Sequence, residues 1–375
     1  MTTIFLRSSR RWMKNLADDM KWSRIHSKSK QMHDISGTSY KEKIFNYFKG
    51  TFLPPIEWFI PYHFLVNNNI KEDIIIEPGS RLISTKKKYI CYCENGLGIL
   101  SYNMKKNTYI NKKIAIYMMK KKNFLGFVFY SQASRTSAYN LFGDIIKEKD
   151  LGVIYPYCKV PSLPNHTHTN IVTFGFCSSL FTLKGGRELV DAFIQLSATH
   201  KELRLDLLTR KSDIPSSYLS KISNHSFISI TEFNLDNNSY FSHINDWSIL
   251  IHPTYFDSIP LSIIEFINLN KPVIATDVYA IPECIKRENL LIDVKKIFND
   301  SLLPKKGVFL DAEIIKLSKH SEPYSNQLKE NLIKKIEITL KDKDKNLKLT
   351  DFNSDISPEE IKKKWNDLFE KINLS

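Results

Sequence analysis

From residue 170 onward, short apolar runs alternate with longer amphipathic ones. The apolar runs are five to seven residues long and rich in β-branched and aromatic side chains. They read as strands: IVTFGF (171–176), LRLDLLT (203–209), FISITEF (227–233), SILIHP (248–253), PVIAT (272–276) and LLIDV (290–294). Between them, Gly186 to Leu196, Ser216 to Ile222, Ser239 to Ile244 and Pro260 to Leu269 place apolar residues at helical spacing. Strands separated by such lengths need crossovers, and crossovers give a parallel sheet covered by helices. The pattern predicts an α/β fold with a doubly wound sheet in this half.

The first 160 residues are less regular. Strands are visible at YICYC (89–93) and FLGFVFYS (124–131), and Ser131 is placed to N-cap the helix that follows. Before residue 70 the pattern is loose. The stretch TFLPPIEWFIPYHFLV (51–66) has two readings: buried core near a domain edge, or a membrane-leaning or acceptor-facing surface beside basic residues. Near the C-terminus, Ser325 to Lys341 and Pro358 to Ile372 read as helices, the second capped at Ser357. Trp365 and Phe369, four apart, form its packing stripe. The polar segment SLPNHTHTN (162–170) reads as a linker. The expected division is therefore an N-terminal domain over 1–165, a C-terminal domain over 166–345 and a final helical segment over 346–375.

A chain of 375 residues with 42% hydrophobic and 12% aromatic content is globular and long enough for two cores. No run of eighteen uncharged apolar residues is present, and the N-terminus has no apolar core of signal-peptide length. A cytoplasmic protein is expected, with peripheral attachment to the inner face of a membrane. Charge is unevenly placed. Residues 1–170 hold 27 Lys and Arg against 12 Asp and Glu, whereas residues 171–375 hold 27 against 28. Localised positive charge points to an anionic partner such as a membrane surface, a phosphorylated acceptor or nucleic acid. Nucleic acid is disfavoured, because the basic residues show no interleaved aromatic array and no recognition motif. Five scattered cysteines and ten scattered histidines carry no metal-ligand spacing, so no metal is assigned. Cys91 and Cys93, two apart in a strand, share one face and suit packing.

The candidate chemistry lies in HPTYFDSIPLSIIEFINLNKPVIATDVYAIPECI (252–285). A strand runs into a loop holding Asp257, Pro260 opens a helix carrying Glu265, and a further strand follows. In open parallel sheets ligands sit beyond the carboxyl ends of strands. The two carboxylates straddle the helix start, with Glu265 about 7–8 Å along the axis from Pro260. That spacing suits a ligand with two polar ends. Lys184 precedes Gly185, Gly186 and a helix, where an ammonium and free backbone N–H groups can together meet a phosphate. Thr209 and Arg210 end a strand at the same edge of the sheet. Glu94, with Asn95 and Gly96, ends a strand in the first half, where a carboxylate can act as a general base.

The Asp257-x7-Glu265 spacing, with PLS inside it and PVIATD after it, resembles the donor-site signature of retaining GT-B glycosyltransferases of family 4. This chain has Asp where the family usually has Glu, Ser258 where it has Gly, and Phe176 where an arginine often follows Gly175. The resemblance is best over 171–285. It implies two Rossmann-like domains facing a cleft, with a last helix crossing back to the first domain. By the same resemblance, Lys184 and Gly185 hold the donor diphosphate, with Gly175 and the turn Ser258, Ile259 and Pro260 facing the same pocket. Glu265 accepts hydrogen bonds from the ribose, and Asp257 contacts the donor sugar. The implied partners are a nucleotide-sugar donor and a saccharide or lipid-linked glycan acceptor, with no other cofactor. The implied role is in surface polysaccharide assembly, lipopolysaccharide included. Two further readings stay open: a non-transferring relative such as a nucleotide-sugar epimerase, and a catalytically weak binding protein.

Overall fold

The computed structural model describes residues 3–6, 10–24, 50–66, 70–163, 171–255, 257–285, 291–293, 324–341 and 352–374. They form two compact units. Of the described residues, those up to Tyr157 and from Asp355 onward belong to one, and those from Cys158 to 293 and from 324 to Ser354 to the other. Most of the expected linker 162–170 and of the lysine-rich 341–348 lies outside the described residues.

The first unit contains a six-stranded parallel sheet in the order β2-β1-β3-β4-β5-β6. Its strands are β1 Ile4–Leu6, β2 Ser23–Arg24, β3 Ile74–Glu77, β4 Lys88–Cys93, β5 Phe124–Phe129 and β6 Asp150–Val153. The helices of this part are α1 Arg11–Asp19, α2 Tyr62–Val66, α3 Tyr109–Met119, α4 Gln132–Phe142 and α5 Asp144–Glu148. β4 and β5 lie where the apolar runs place them, and Ser131 Oγ accepts from Ser134 N at 3.0 Å to cap α4. β1 and β3 are buried along their whole length. Strands covered on both faces show no alternation, and three or four residues are too few to separate strand from helix.

The second unit repeats the architecture in the order β12-β11-β10-β7-β8-β9, again all parallel. Its strands are β7 Val172–Cys177, β8 Leu203–Thr209, β9 Ile228–Glu232, β10 Ile249–His252, β11 Val273–Thr276 and β12 Leu291–Ile292. The helices are α6 Gly186–Leu196, α7 Ser216–Ser223, α8 Asn237–Asn245, α9 Leu261–Asn268, α10 Ile281–Cys284 and α11 Asn326–Lys341. Both sheets are doubly wound. The chain turns from β7 to β8 on one side and returns to β10 on the other, which is the three-before-one, one-before-four order of dinucleotide-binding domains. A Cβ on Gly175 would lie 1.8 Å from the ring of Trp247, so the glycine admits that indole to the face of β7. Trp247 Nε1 donates to the buried Asp206 at 2.8 Å, and His243 lies 2.8 Å from the same oxygen.

The last helix, α12 Pro358–Leu374, belongs to the first unit. Ser357 Oγ accepts from Glu360 N at 3.3 Å. Trp365 is fully buried and stacks on Phe369 at 5.8 Å between ring centroids. It also meets Trp22 and Tyr92 edge-on at 5.4 and 5.3 Å. Tyr92 in turn contacts Trp12 and Tyr130 and donates to the carbonyls of Ile154 and Tyr155. Among the described residues no helix is long and apolar enough to cross a membrane.

Replacing Trp365 by alanine removes a fully buried indole from this aromatic cluster and should lower the stability of the first unit by about 3–5 kcal/mol. Trp365→Phe should recover more than half of that loss. Denaturant unfolding followed by near-ultraviolet dichroism measures both.

Candidate functional site

The site is built where β7 and β10 lie side by side at the centre of the second sheet. Their crossovers leave in opposite directions, so the loops beyond their carboxyl ends part and open a crevice. The loop after β7 runs into α6 through Lys184 and Gly185. Gly185 has φ +75°, and a Cβ there would lie 2.1 Å from the Pro253 carbonyl oxygen, so only glycine fits the turn and the approach. The loop after β10 carries Asp257 and ends at Pro260, which precedes α9. The two loops are tied together. Tyr255 N donates to Leu183 O at 3.2 Å, and Tyr255 Oη donates to the buried Glu188 on α6 at 2.8 Å.

Across this junction Lys184 Nζ meets Asp257 Oδ2 at 2.5 Å. His252, the last residue of β10, places Nε2 3.2 Å from the same carboxylate oxygen. Burial by itself disfavours the charge on Asp257. The Lys184 charge and the His252 hydrogen bond outweigh it and hold the carboxyl well below the usual carboxylate range. Burial pushes the His252 imidazole down, against the pull of Asp257. His252 is therefore neutral at pH 7 and donates through Nε2. Its Nδ1 is buried and has no hydrogen-bond partner among the described residues.

Glu265 lies a turn into α9, buried, and accepts from Tyr240 Oη at 2.5 Å. Tyr240 on α8 also reaches Cys177, the last residue of β7, at 3.7 Å, which links Glu265 to the same strand end. Ser258, Ile259 and Pro260 are buried in the turn before α9, whose first N–H groups have no acceptor within the helix. Thr209 ends β8, next to β7, and its buried Oγ1 has no partner among the described residues. Arg210 follows it, half-buried. Gly175 lies within β7, where its lack of a side chain is used by Trp247. Phe176 is fully buried and meets Phe181 edge-on at 6.0 Å, so the core occupies that position. Arg187 is buried with its guanidinium 5.7 Å from the centre of the Tyr324 ring.

Glu94 belongs to the other unit, at the carboxyl end of β4. Its carboxylate is 3.4 Å from Tyr102 Oη and 3.6 Å from Arg10 Nη1. Its backbone is fixed by Ser80 Oγ, which accepts from Glu94 N at 2.7 Å, and by Ser134 Oγ, which donates to Glu94 O at 2.6 Å. The structure thus brings Lys184, Asp257 and the unforeseen His252 into one network and sets Glu94 in a separate polar cluster. Only its place as the one polar residue ending an apolar strand marks His252 in the sequence. Among the described residues no three His, Cys, Asp or Glu side chains gather as metal ligands do.

Residues 171–301 match the family described as Glycosyl transferases group 1, which covers the whole of this network. No curated protein matches the chain. Among solved structures, sucrose-phosphate synthase from Thermosynechococcus elongatus aligns over the full length of both chains at 11% identity, with a TM-score of 0.56. The GtfA/B complex aligns with 84% of this chain at 14% identity and a TM-score of 0.54. The pneumococcal O-GlcNAc transferase GtfA, solved with UDP and GlcNAc, aligns with 84% at 16% identity and a TM-score of 0.52. The chain spans 60% and 59% of the length of those last two relatives. These likenesses establish the fold: two doubly wound parallel-sheet units of the GT-B kind.

The titrating pairs give a pH dependence of stability. His252 is depressed when folded, so its contribution is present above the unfolded histidine value near 6.5 and is lost as pH falls through that region. His243 has the opposite sign: its hydrogen bond to Asp206 raises it despite partial burial, so its contribution is lost as pH rises above 6.5. Taken together, these two histidines favour the folded state most near pH 6.5. Urea midpoints across pH 5.5–8 should show His252→Gln abolishing part of the acid-side fall and His243→Gln part of the alkaline-side fall.

Proposed function

We propose that the chain is a glycosyltransferase that moves a sugar from a nucleoside-diphosphate sugar to a hydroxyl of a saccharide acceptor. The observation that supports this most is the Lys184–Asp257 pair, 2.5 Å apart where β7 and β10 meet, within the residues matched by the group 1 glycosyl transferases. A cation and an ionised carboxylate paired across a crevice are suited to the two ends of one donor. The diphosphate would take Lys184 and the first N–H groups of α9, and the sugar hydroxyls would donate to Asp257. Glu265 would accept from the ribose hydroxyls, with Tyr240 already fixing one of its oxygens.

In the transfer, the bond between the anomeric carbon and the diphosphate oxygen breaks as the acceptor oxygen bonds to that carbon. Lys184 and the helix N-terminus stabilise the charge that develops on the leaving diphosphate. The acceptor proton passes to a base, either the leaving oxygen or Glu94. Retention at the anomeric carbon, metal independence and a lipid-linked glycan acceptor in surface polysaccharide synthesis complete the reading. The GtfA of similar fold, solved with UDP and GlcNAc, supports a nucleotide-sugar donor. A second reading, donor binding without transfer, draws on Asp257 standing where the family usually has Glu and on the buried Phe176 in place of a second cation.

Binding and slow hydrolysis against UDP-, GDP- and ADP-sugars should single out one nucleotide. Lys184→Ala and Glu265→Ala should each weaken that donor at least tenfold, about the 1.4 kcal/mol of one charge-assisted hydrogen bond. Asp257→Asn should lower turnover by about a hundredfold while changing donor affinity less. A folded protein that binds none of these donors would rule out the transferase reading. Binding without transfer to any saccharide, or release of an altered free sugar, would select the second.

A further inference from the structure

The first unit carries an exposed apolar surface that its own core does not explain. α3 turns Asn111, Ala115, Met118 and Met119 inward. Its opposite face presents Tyr109, Ile110 and Tyr117, each about 70% exposed, which is unusual for side chains of this size. Lys113, Lys120 and Lys121 lie exposed on that same face. Lys113 Nζ sits 4.5 Å over the Tyr109 ring, and Lys121 Nζ sits 5.1 Å over the Tyr117 ring.

A second segment, held against the start of the helix, also exposes apolar side chains. Three buried polar side chains grip the backbone of 51–53 at the start of α3. Asn103 Nδ2 donates to Thr51 O, Asn111 Nδ2 to Phe52 O, and Lys106 Nζ to Leu53 O, at 3.1, 2.9 and 2.5 Å. The peptide groups are turned in and satisfied, and the side chains of Phe52 and Leu53 are turned out, Phe52 to 66% exposure. Their exposure is therefore built by buried hydrogen bonds and is not fraying. Phe52 precedes two prolines that prevent the segment from extending as a helix.

The charged side chains exposed on this face of α3 are lysines. Residues 95–143 contain seven lysines and one arginine and not one aspartate or glutamate. An isolated apolar patch attracts many partners. A patch of Phe, Leu, Ile and Tyr inside a lysine field, with no acid to repel a negative surface, has a specific complement. We propose that the outer face of α3, with Phe52 and Leu53, is a docking surface for an anionic lipid bilayer. The apolar side chains enter the headgroup boundary while the lysines meet the anionic headgroups, each lysine contributing about fivefold to binding. The helix brings Tyr109 and Tyr117 between the lysines, an interleaving that the linear sequence conceals and that a single-stranded nucleic acid could also use. Lipid is favoured over nucleic acid because Ile110 and Leu53 have no ring to stack on a base, and because the exposed cations of this helix face are lysines.

The inference is independent of the transferase reading, and its test needs neither donor nor activity. The full chain should sediment with mixed phosphatidylcholine–phosphatidylglycerol vesicles and at least tenfold less with phosphatidylcholine alone. Binding should fall steeply with salt. The triple variant Lys113→Gln, Lys120→Gln, Lys121→Gln should reduce anionic-vesicle binding at least tenfold, and so should Phe52→Ser with Tyr117→Ser. Amide hydrogen exchange with vesicles present should gain protection over 51–53 and 109–121, a readout that holds even if a variant folds poorly. Equal binding to neutral vesicles, protection confined to other segments, or tighter binding to single-stranded RNA than to anionic vesicles would overturn the proposal.

Discussion

A doubly wound sheet must change direction once, and in the second unit it does so between β7 and β10. Right-handed crossovers from these two strands run to opposite sides, so nothing in the regular packing closes the space above their carboxyl ends. The chain closes it with one ion pair. Lys184 comes from one loop and Asp257 from the other, and the buried His252 holds the carboxylate from below. The features around it serve this junction. Gly185 adopts a left-handed turn so that its loop can pass the Pro253 carbonyl, and Tyr255 anchors the β10 loop to α6 through Glu188.

Such a pair is costly to maintain without a ligand. Each partner is mostly withdrawn from water, and their attraction offsets a desolvation penalty that hydrophobic residues of similar volume would not incur. Stability alone gives no reason to keep a carboxylate there with only a lysine and a neutral histidine for company. A bound anion would take over the lysine, and hydroxyl donors would take over the carboxylate. The same atoms are thus satisfied in either state. The hydrogen bond from His252 to Asp257 does not depend on the lysine. The buried Nδ1 of His252 has no hydrogen-bond partner among the described residues.

The second unit was legible because its strands and helices are long and locally consistent. Helix α6 matches its expected span, and Pro260 and Ser131 do begin helices as their chemistry requires. In the site, Asp257 and Lys184 were visible as polar residues in loops between predicted strands and helices, and Glu265 as an acid inside the helix that follows Pro260. The direct contact of Lys184 with Asp257 was not, because it depends on β7 and β10 being neighbours although 74 residues lie between their last members, Cys177 and His252. Gly175 shows a different limit. A glycine near a candidate phosphate site reads as a ligand contact, yet here the space is filled by Trp247, and nothing local announces that indole.

In the first unit the difficulty itself carries information. β1 and β3 are hidden because they are short and buried on both sides, which is a matter of packing. α3 is hidden for another reason. Its apolar residues occupy both faces, so the period of 3.6 that would reveal a half-buried helix is blurred. A helix gains nothing in fold stability from tyrosine and isoleucine in water, and the blurring residues are the ones surrounded by lysine. The same region supplies much of the charge excess of the N-terminal half, while the second unit, just as rich in lysine, balances it with acids. A general tendency toward lysine, with acids spread evenly, would have raised the net charge of both halves alike. The asymmetry therefore belongs to a surface, and the residues that spoil the helical pattern mark where that surface lies.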